Sequence, residues 1–92
     1  MAAMVRNNPP LSRYELDVDG HVASAYYKLE PGVITFTHTE VPQELSGRGI
    51  GTQLARGALE DVRASGGLKV VAKCPFISAF MGKNPEFNDL LL

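Results

Sequence analysis

Glu40-Val41-Pro42-Gln43-Glu44-Leu45-Ser46-Gly47-Arg48-Gly49-Ile50-Gly51-Thr52-Gln53-Leu54 joins a β-branched run to an amphipathic helical pattern. Glycines alternate at Gly47, Gly49 and Gly51, so the junction is a strand-to-helix turn whose backbone reaches conformations closed to other residues. The first N–H groups of a helix have no acceptor within it, and the helix dipole adds roughly half a positive elementary charge at the same place. With Arg48 beside them, these donors favour phosphate oxygens. On the residues alone, a phosphate site and a plain structural connection both stand.

Upstream, Met1 to Leu11 holds Asn7-Asn8-Pro9-Pro10 and reads as a loose leader before a single domain over 12–92. From Ser12 to Asp19, Tyr14, Leu16 and Val18 alternate with Glu15 and Asp17, the pattern of a half-buried strand. Asp19-Gly20 is a tight hairpin turn, and Val22 to Leu29 returns. Pro31 and Gly32 suit the two central positions of the next turn, and Val33 to Thr39 is a third strand running into the glycines.

Downstream, Ile50, Leu54, Ala58, Leu59 and Val62 fall at helical spacing, and Ser65-Gly66-Gly67 closes that helix. Leu68 to Cys74 is a short strand. A strand, a helix and a strand connected at this length form a right-handed parallel crossover. Pro75 opens a second helix over Phe76 to Gly82, with Phe76, Ile77, Ala79, Phe80 and Met81 as its apolar surface. Pro85 restarts a short helical piece with Phe87, Leu90 and Leu91. The fold class is α/β (α+β): an antiparallel three-stranded meander, then a helix, a parallel strand and C-terminal helices.

Ninety-two residues, 45% hydrophobic and 21% charged, are ordinary composition for one globular domain. Nine basic residues nearly balance ten acidic ones and do not cluster, so no nucleic-acid partner is expected. No apolar run approaches the roughly 20 residues of a membrane span. Cys74 is the single cysteine, which excludes a disulfide framework and a CxxC metal pair. The expectation is a soluble, cytoplasmic monomer without a metal.

Ser46-Gly47-Arg48-Gly49-Ile50-Gly51 resembles the acetyl-coenzyme A signature of the GNAT superfamily of N-acetyltransferases: Arg or Gln, two variable residues, Gly, one variable residue, then Gly or Ala. Gly49 and Gly51 match the small positions, whereas Ser46 stands where Arg or Gln is usual. Phe36 to Pro42, Lys69 to Phe76 and Lys83-Asn84-Pro85-Glu86-Phe87 are similar to a minimal single-domain branch of that superfamily, which commonly has His at the Asn84 position. Competing phosphate motifs fail on spacing. No Lys follows Gly51 as a P-loop requires, and neither register of the glycines gives a dinucleotide fingerprint.

The resemblance implies a GNAT-like acyltransferase fold, acetyl-coenzyme A as donor and an amine as acceptor. The pyrophosphate would lie on Gly47, Arg48, Gly49, Ile50, Gly51 and Thr52, and the pantetheine arm beside Thr39, Glu40 and Val41. Cys74, next to a helix-opening proline, is either a nucleophile for the acetyl group or a small buried hydrophobe. By alternation His38 shares a face with Phe36 and Ile34. It is either a general base for the amine or for Cys74, or a strand histidine without a chemical role. Glu40 is the weaker alternative base, on the opposite half of the bend.

Two tyrosines, Tyr26 and Tyr27, read as sheet packing. Phe76 and Phe80 occupy the region where acetyltransferases often place a proton-donating tyrosine, and they have no proton to give. Asp19-Gly20 is the whole connection between the first two strands of the meander, where ordinary members spend one or two helices on the acceptor site. The acceptor is therefore expected to be an exposed protein or peptide amine. The alternatives are a non-catalytic coenzyme A-binding module and a purely structural interaction domain.

Overall fold

The computed structural model describes residues 4–92. Five strands form one mixed sheet in sequence order: β1 (Arg6–Asn8), β2 (Arg13–Val18), β3 (His21–Glu30), β4 (Val33–Glu40) and β5 (Lys69–Ala72). The first four are antiparallel and β5 pairs parallel to β4, closing the expected crossover through α1 (Ile50–Ser65). α2 (Pro75–Lys83) and a 3-10 turn (Pro85–Leu90) complete the chain. Among the described residues no helix is long and apolar enough to cross a membrane.

Local chemistry accounts for the turns. Asp19 and Gly20 both take positive φ, 51° and 78°, which matches the twist of the flanking strands. Gly32 takes φ 75° in the next turn. α1 ends on Gly66, whose N–H donates to the Arg63 carbonyl at 3.3 Å.

Tyr14, Leu16, Ala25, Tyr27, Ile34 and Phe36 point from the sheet into a core that α1 fills with Leu54, Ala55, Ala58, Leu59 and Val62. Ile77, Phe80 and Met81 of α2 extend the same core, and the Arg56 guanidinium of α1 lies 5.4 Å over the Phe80 ring. Both helices therefore sit on one face of the sheet. Among the described residues the opposite face has no helix on it. Tyr14 OH donates to Asp61 at 2.7 Å and so ties β2 to α1; burial, with this bond, raises the phenol's pKa.

Three sequence expectations are corrected. Arg6–Asn8, assigned to a loose leader, is the edge strand β1. Its anchors come from far along the chain: Arg6 pairs with Glu15 and Asp17, Tyr27 OH donates to Asn7 at 2.7 Å, and Val5 packs against Gly57. Second, β4 does not run straight into the glycines. Val41, Pro42 and a 3-10 turn (Gln43–Leu45) intervene, pinned by Leu45 in the core.

Third, Glu15 lies on the polar side of β2 and yet is buried, 2% exposed. Arg13 Nε at 2.5 Å, Arg6 Nη2 at 2.6 Å and Asn8 Nδ2 at 3.0 Å close over its carboxylate. The bond from Arg13, supported by Asn8 and Arg6, holds this carboxyl below the usual range. Its ionised form is thus favoured in the folded state. The resulting stability is present above the unfolded value near pH 4.3 and is lost as pH falls through the lower folded value. Urea midpoints of Glu15→Gln should lie below wild type at pH 7, with the difference shrinking as pH falls below about 4. A difference independent of pH would contradict this role.

Candidate functional site

The glycine turn and the third meander strand meet where the sheet opens. β4 and β5 pair from Val33↔Lys69 to Phe36↔Ala72, and the Phe36 carbonyl then accepts from both Lys73 N–H at 3.0 Å and Cys74 N–H at 2.9 Å. Beyond that point β5 turns away into α2. Among the described residues no strand pairs with the outer edge of Thr37–Glu40. Extended backbone with free N–H and C=O groups invites another extended chain.

Thr37 gives this segment its shape. Tyr26 pairs with His38 and Tyr27 with Phe36, so Thr37 is an extra residue in β4, a bulge. Its hydroxyl donates to the Tyr26 carbonyl at 3.3 Å. The bulge shifts the alternation by one. Tyr27 packs in the core against Phe36, ring centroids 6.3 Å apart, whereas Tyr26 stacks on His38 at 4.5 Å with 12° between planes. His38 therefore lies on the helix-free face, opposite Phe36 and Ile34, against the expectation from simple alternation. Glu40 lies on the same side as His38, its Oε2 3.3 Å from His38 Nε2, and not across the bend from it.

Thr39 points the other way, pairing with the core residue Ala25. Its Oγ1 is 3.3 Å from Cys74 Sγ. Cys74 precedes the first turn of α2 and is 2% exposed. His38 and Cys74 thus flank the open edge from opposite faces, and the polar contact of each is to a β4 residue on its own side.

Beyond the edge lies the glycine turn. Gly47 and Gly49 have φ of 78° and 70°, and a Cβ at either would meet nothing within 4 Å. Gly49 precedes α1 without any side-chain cap, and the first bond of the turn is Gln53 N–H to the Gly49 carbonyl at 3.1 Å. The N–H groups of Ile50, Gly51 and Thr52 precede that bond and have no helical acceptor. An uncapped helix start on open glycine backbone fits an anion approaching closely.

Ile50 is buried and offers only its backbone. Thr52 is exposed and lines a groove of about 140 Å³ with Phe76, Ala79, Phe80, Lys83 and Asn84. Val41 is 36% exposed beside the turn. Arg48 reaches the β2–β3 hairpin, donating to Asp19 at 2.7 Å in an exposed pair that contributes little stability. Among the described residues no cluster of His, Cys, Asp and Glu is arranged to hold a metal.

Phe76 is a site neighbour whose contact with the glycine turn the sequence does not disclose. Its ring covers Gly51, where a Cβ would stand 2.8 Å from Cζ, although the side chain is 41% exposed. Tyr26 is another: the Tyr26-Tyr27 doublet signals one ring per face, but only the bulge puts Tyr26 against His38.

A family model described as GCN5-related N-acetyl-transferase matches residues 13–90. The chain is also similar to a GCN5-like protein from Staphylococcus aureus with a solution NMR structure: identity 25%, TM-score 0.71, covering 96% of this chain and 86% of that one. No curated protein matches the sequence significantly.

Contact between Gly51 and Phe76 is testable by a double-mutant cycle. In a Phe76→Ala background, Gly51→Ala should raise stability by up to about 1 kcal/mol through helix propensity. With Phe76 present the gain should vanish, because the ring must leave its place. Equal effects of Gly51→Ala in both backgrounds, read by urea denaturation, would show that the ring does not cover this glycine.

Proposed function

We propose a function on one premise: this chain belongs to the GCN5-related N-acetyltransferase family, whose model spans 13–90, and is an acetyltransferase. The donor is acetyl-coenzyme A and the acceptor an exposed amine on a protein or peptide. The observation that carries this reading is the parting of β4 and β5 after Phe36, with an uncapped, glycine-opened helix start beside the free edge. Backbone N–H groups from Ile50 to Thr52 take the pyrophosphate, and the edge of Thr37–Glu40 pairs with the amide-bearing pantetheine arm. This seats the thioester between Cys74 on the core side and His38 on the helix-free side.

Acceptor access follows from the hairpin. Asp19-Gly20 connects β2 to β3 directly, and among the described residues no helix roofs the face that carries His38 and Glu40. A flexible lysine side chain or chain terminus can approach there. Enclosure of a small molecule has no support on that face.

His38 acts as the base. Its imidazole accepts the proton that the amine loses as nitrogen attacks the thioester carbonyl, the C–S bond breaks, and the coenzyme thiolate leaves and takes a proton from solvent. Glu40, whose Oε2 lies 3.3 Å from His38 Nε2, orients the ring. Transfer is direct. Cys74 lies on the far side from His38 and its sulfur faces the Thr39 hydroxyl, so it shapes the thioester wall without becoming acetylated.

Calorimetry should find coenzyme A bound, and His38→Gln should cut turnover by about 10²-fold or more with coenzyme A affinity unchanged. Cys74→Ala should retain turnover, and denatured protein mixed with radiolabelled acetyl-coenzyme A should carry no label. Label on Cys74 with an inactive Cys74→Ala variant would establish the covalent route instead. Binding without turnover toward any amine would leave a coenzyme A-binding module.

A further inference from the structure

The helix-free face carries a continuous run of side-chain contacts that the proposed chemistry uses only at one end. At its fixed end is the buried Glu15 carboxylate, which accepts from Arg13 Nε at 2.5 Å. Arg13 Nη1 donates to Tyr26 OH at 2.9 Å, and the guanidinium carbon lies 5.6 Å from the Tyr26 ring centre. The Tyr26 ring stacks on the His38 imidazole, and His38 Nε2 faces Glu40. The run therefore passes from a carboxylate 2% exposed to an imidazole whose side chain is 54% exposed.

An imidazole that exposed would ordinarily exchange between staggered rotamers. Proton transfer needs one of them. Tyr26 stands directly opposite His38 in the register, and the bulge at Thr37 is what brings the two rings to one face. A near-parallel aromatic contact favours a single ring placement about two- to tenfold over its alternatives. Tyr26 is itself held at its far end by Arg13, and Arg13 by Glu15.

We propose that Tyr26, through its ring, is a positioning residue for His38. It fixes the plane of the imidazole so that Glu40 engages one nitrogen. A carboxylate only accepts, so Nε2 carries the proton in neutral His38 and the Nδ1 lone pair remains for the incoming amine. Tyr26 touches neither donor nor acceptor. The assignment rests on the reading of His38 as the base.

The test uses the full chain, which has two histidines, His21 and His38. Three-bond couplings in protein with labelled histidine read the His38 χ1 rotamer, and the ring protons report the stack by an upfield shift. Wild type and Tyr26→Phe should show one rotamer and the shifted signals, since both keep the ring. Tyr26→Leu, which fills the strand position without a ring, should give averaged couplings and lose the shift. A single unchanged rotamer in Tyr26→Leu overturns the proposal.

Release of the coenzyme thiol from acetyl-coenzyme A, with poly-L-lysine as acceptor, gives the functional arm. Tyr26→Leu should lower kcat about tenfold with KM for acetyl-coenzyme A unchanged, and Tyr26→Phe should recover most of that loss. Full kcat in Tyr26→Leu beside an inactive His38→Gln overturns the positioning role and leaves the base. An active His38→Gln removes the base and the positioning role together. Should wild type not turn over poly-L-lysine, the exposed-amine reading fails, and the rotamer measurement still decides the placement of His38.

Discussion

The Phe36 carbonyl accepts from two successive N–H groups, those of Lys73 and Cys74, and this shared acceptor ends the parallel pairing of β4 with β5. Everything proposed for the site depends on that ending. With continued pairing, Thr37–Glu40 would be interior sheet, its backbone satisfied by β5, and no extended ligand could enter. The next residue, Thr37, is the bulge, so the edge is freed and the alternation of β4 is shifted within one residue. Side chains on β4 then divide the opening: Thr39 goes to Cys74 on the core side, and His38 and Glu40 go to the bare side.

A two-layer arrangement makes such an opening affordable in a short chain. α1 and α2 cover one face, and on the other face Glu15 is buried under Arg6, Arg13 and Asn8. This polar cover replaces a second helical layer. It leaves a solvent-facing platform continuous from the β1 edge to the open edge of β4.

Local chemistry made much of the fold legible in the sequence. Asp19-Gly20, Pro31-Gly32 and Gly66-Gly67 mark turns through their own dihedral preferences, and α1 shows its face through Ile50, Leu54, Ala58, Leu59 and Val62. The glycine turn at Gly47, Gly49 and Gly51 is legible for the same reason. What was not legible is held by distant partners. β1 has no apolar residue and exists through Glu15, Asp17 and Tyr27. The bulge at Thr37 has no side-chain signature in a β-branched run, and missing it assigns His38 to the wrong face. Phe76 reads as helix core, although its ring closes over a glycine of another helix.

The most direct test of the central claim, that the open β4 edge and the glycine turn together receive acetyl-coenzyme A, is amide NMR during titration with coenzyme A. Signals of Gly49, Ile50, Gly51 and Thr52 should move together with those of Thr37 to Val41, at one stoichiometry and one affinity, while those of β1 and β2 stay in place. Movement confined to the glycine turn would mean a phosphate site without a pantetheine edge. No movement at either place would contradict the account outright.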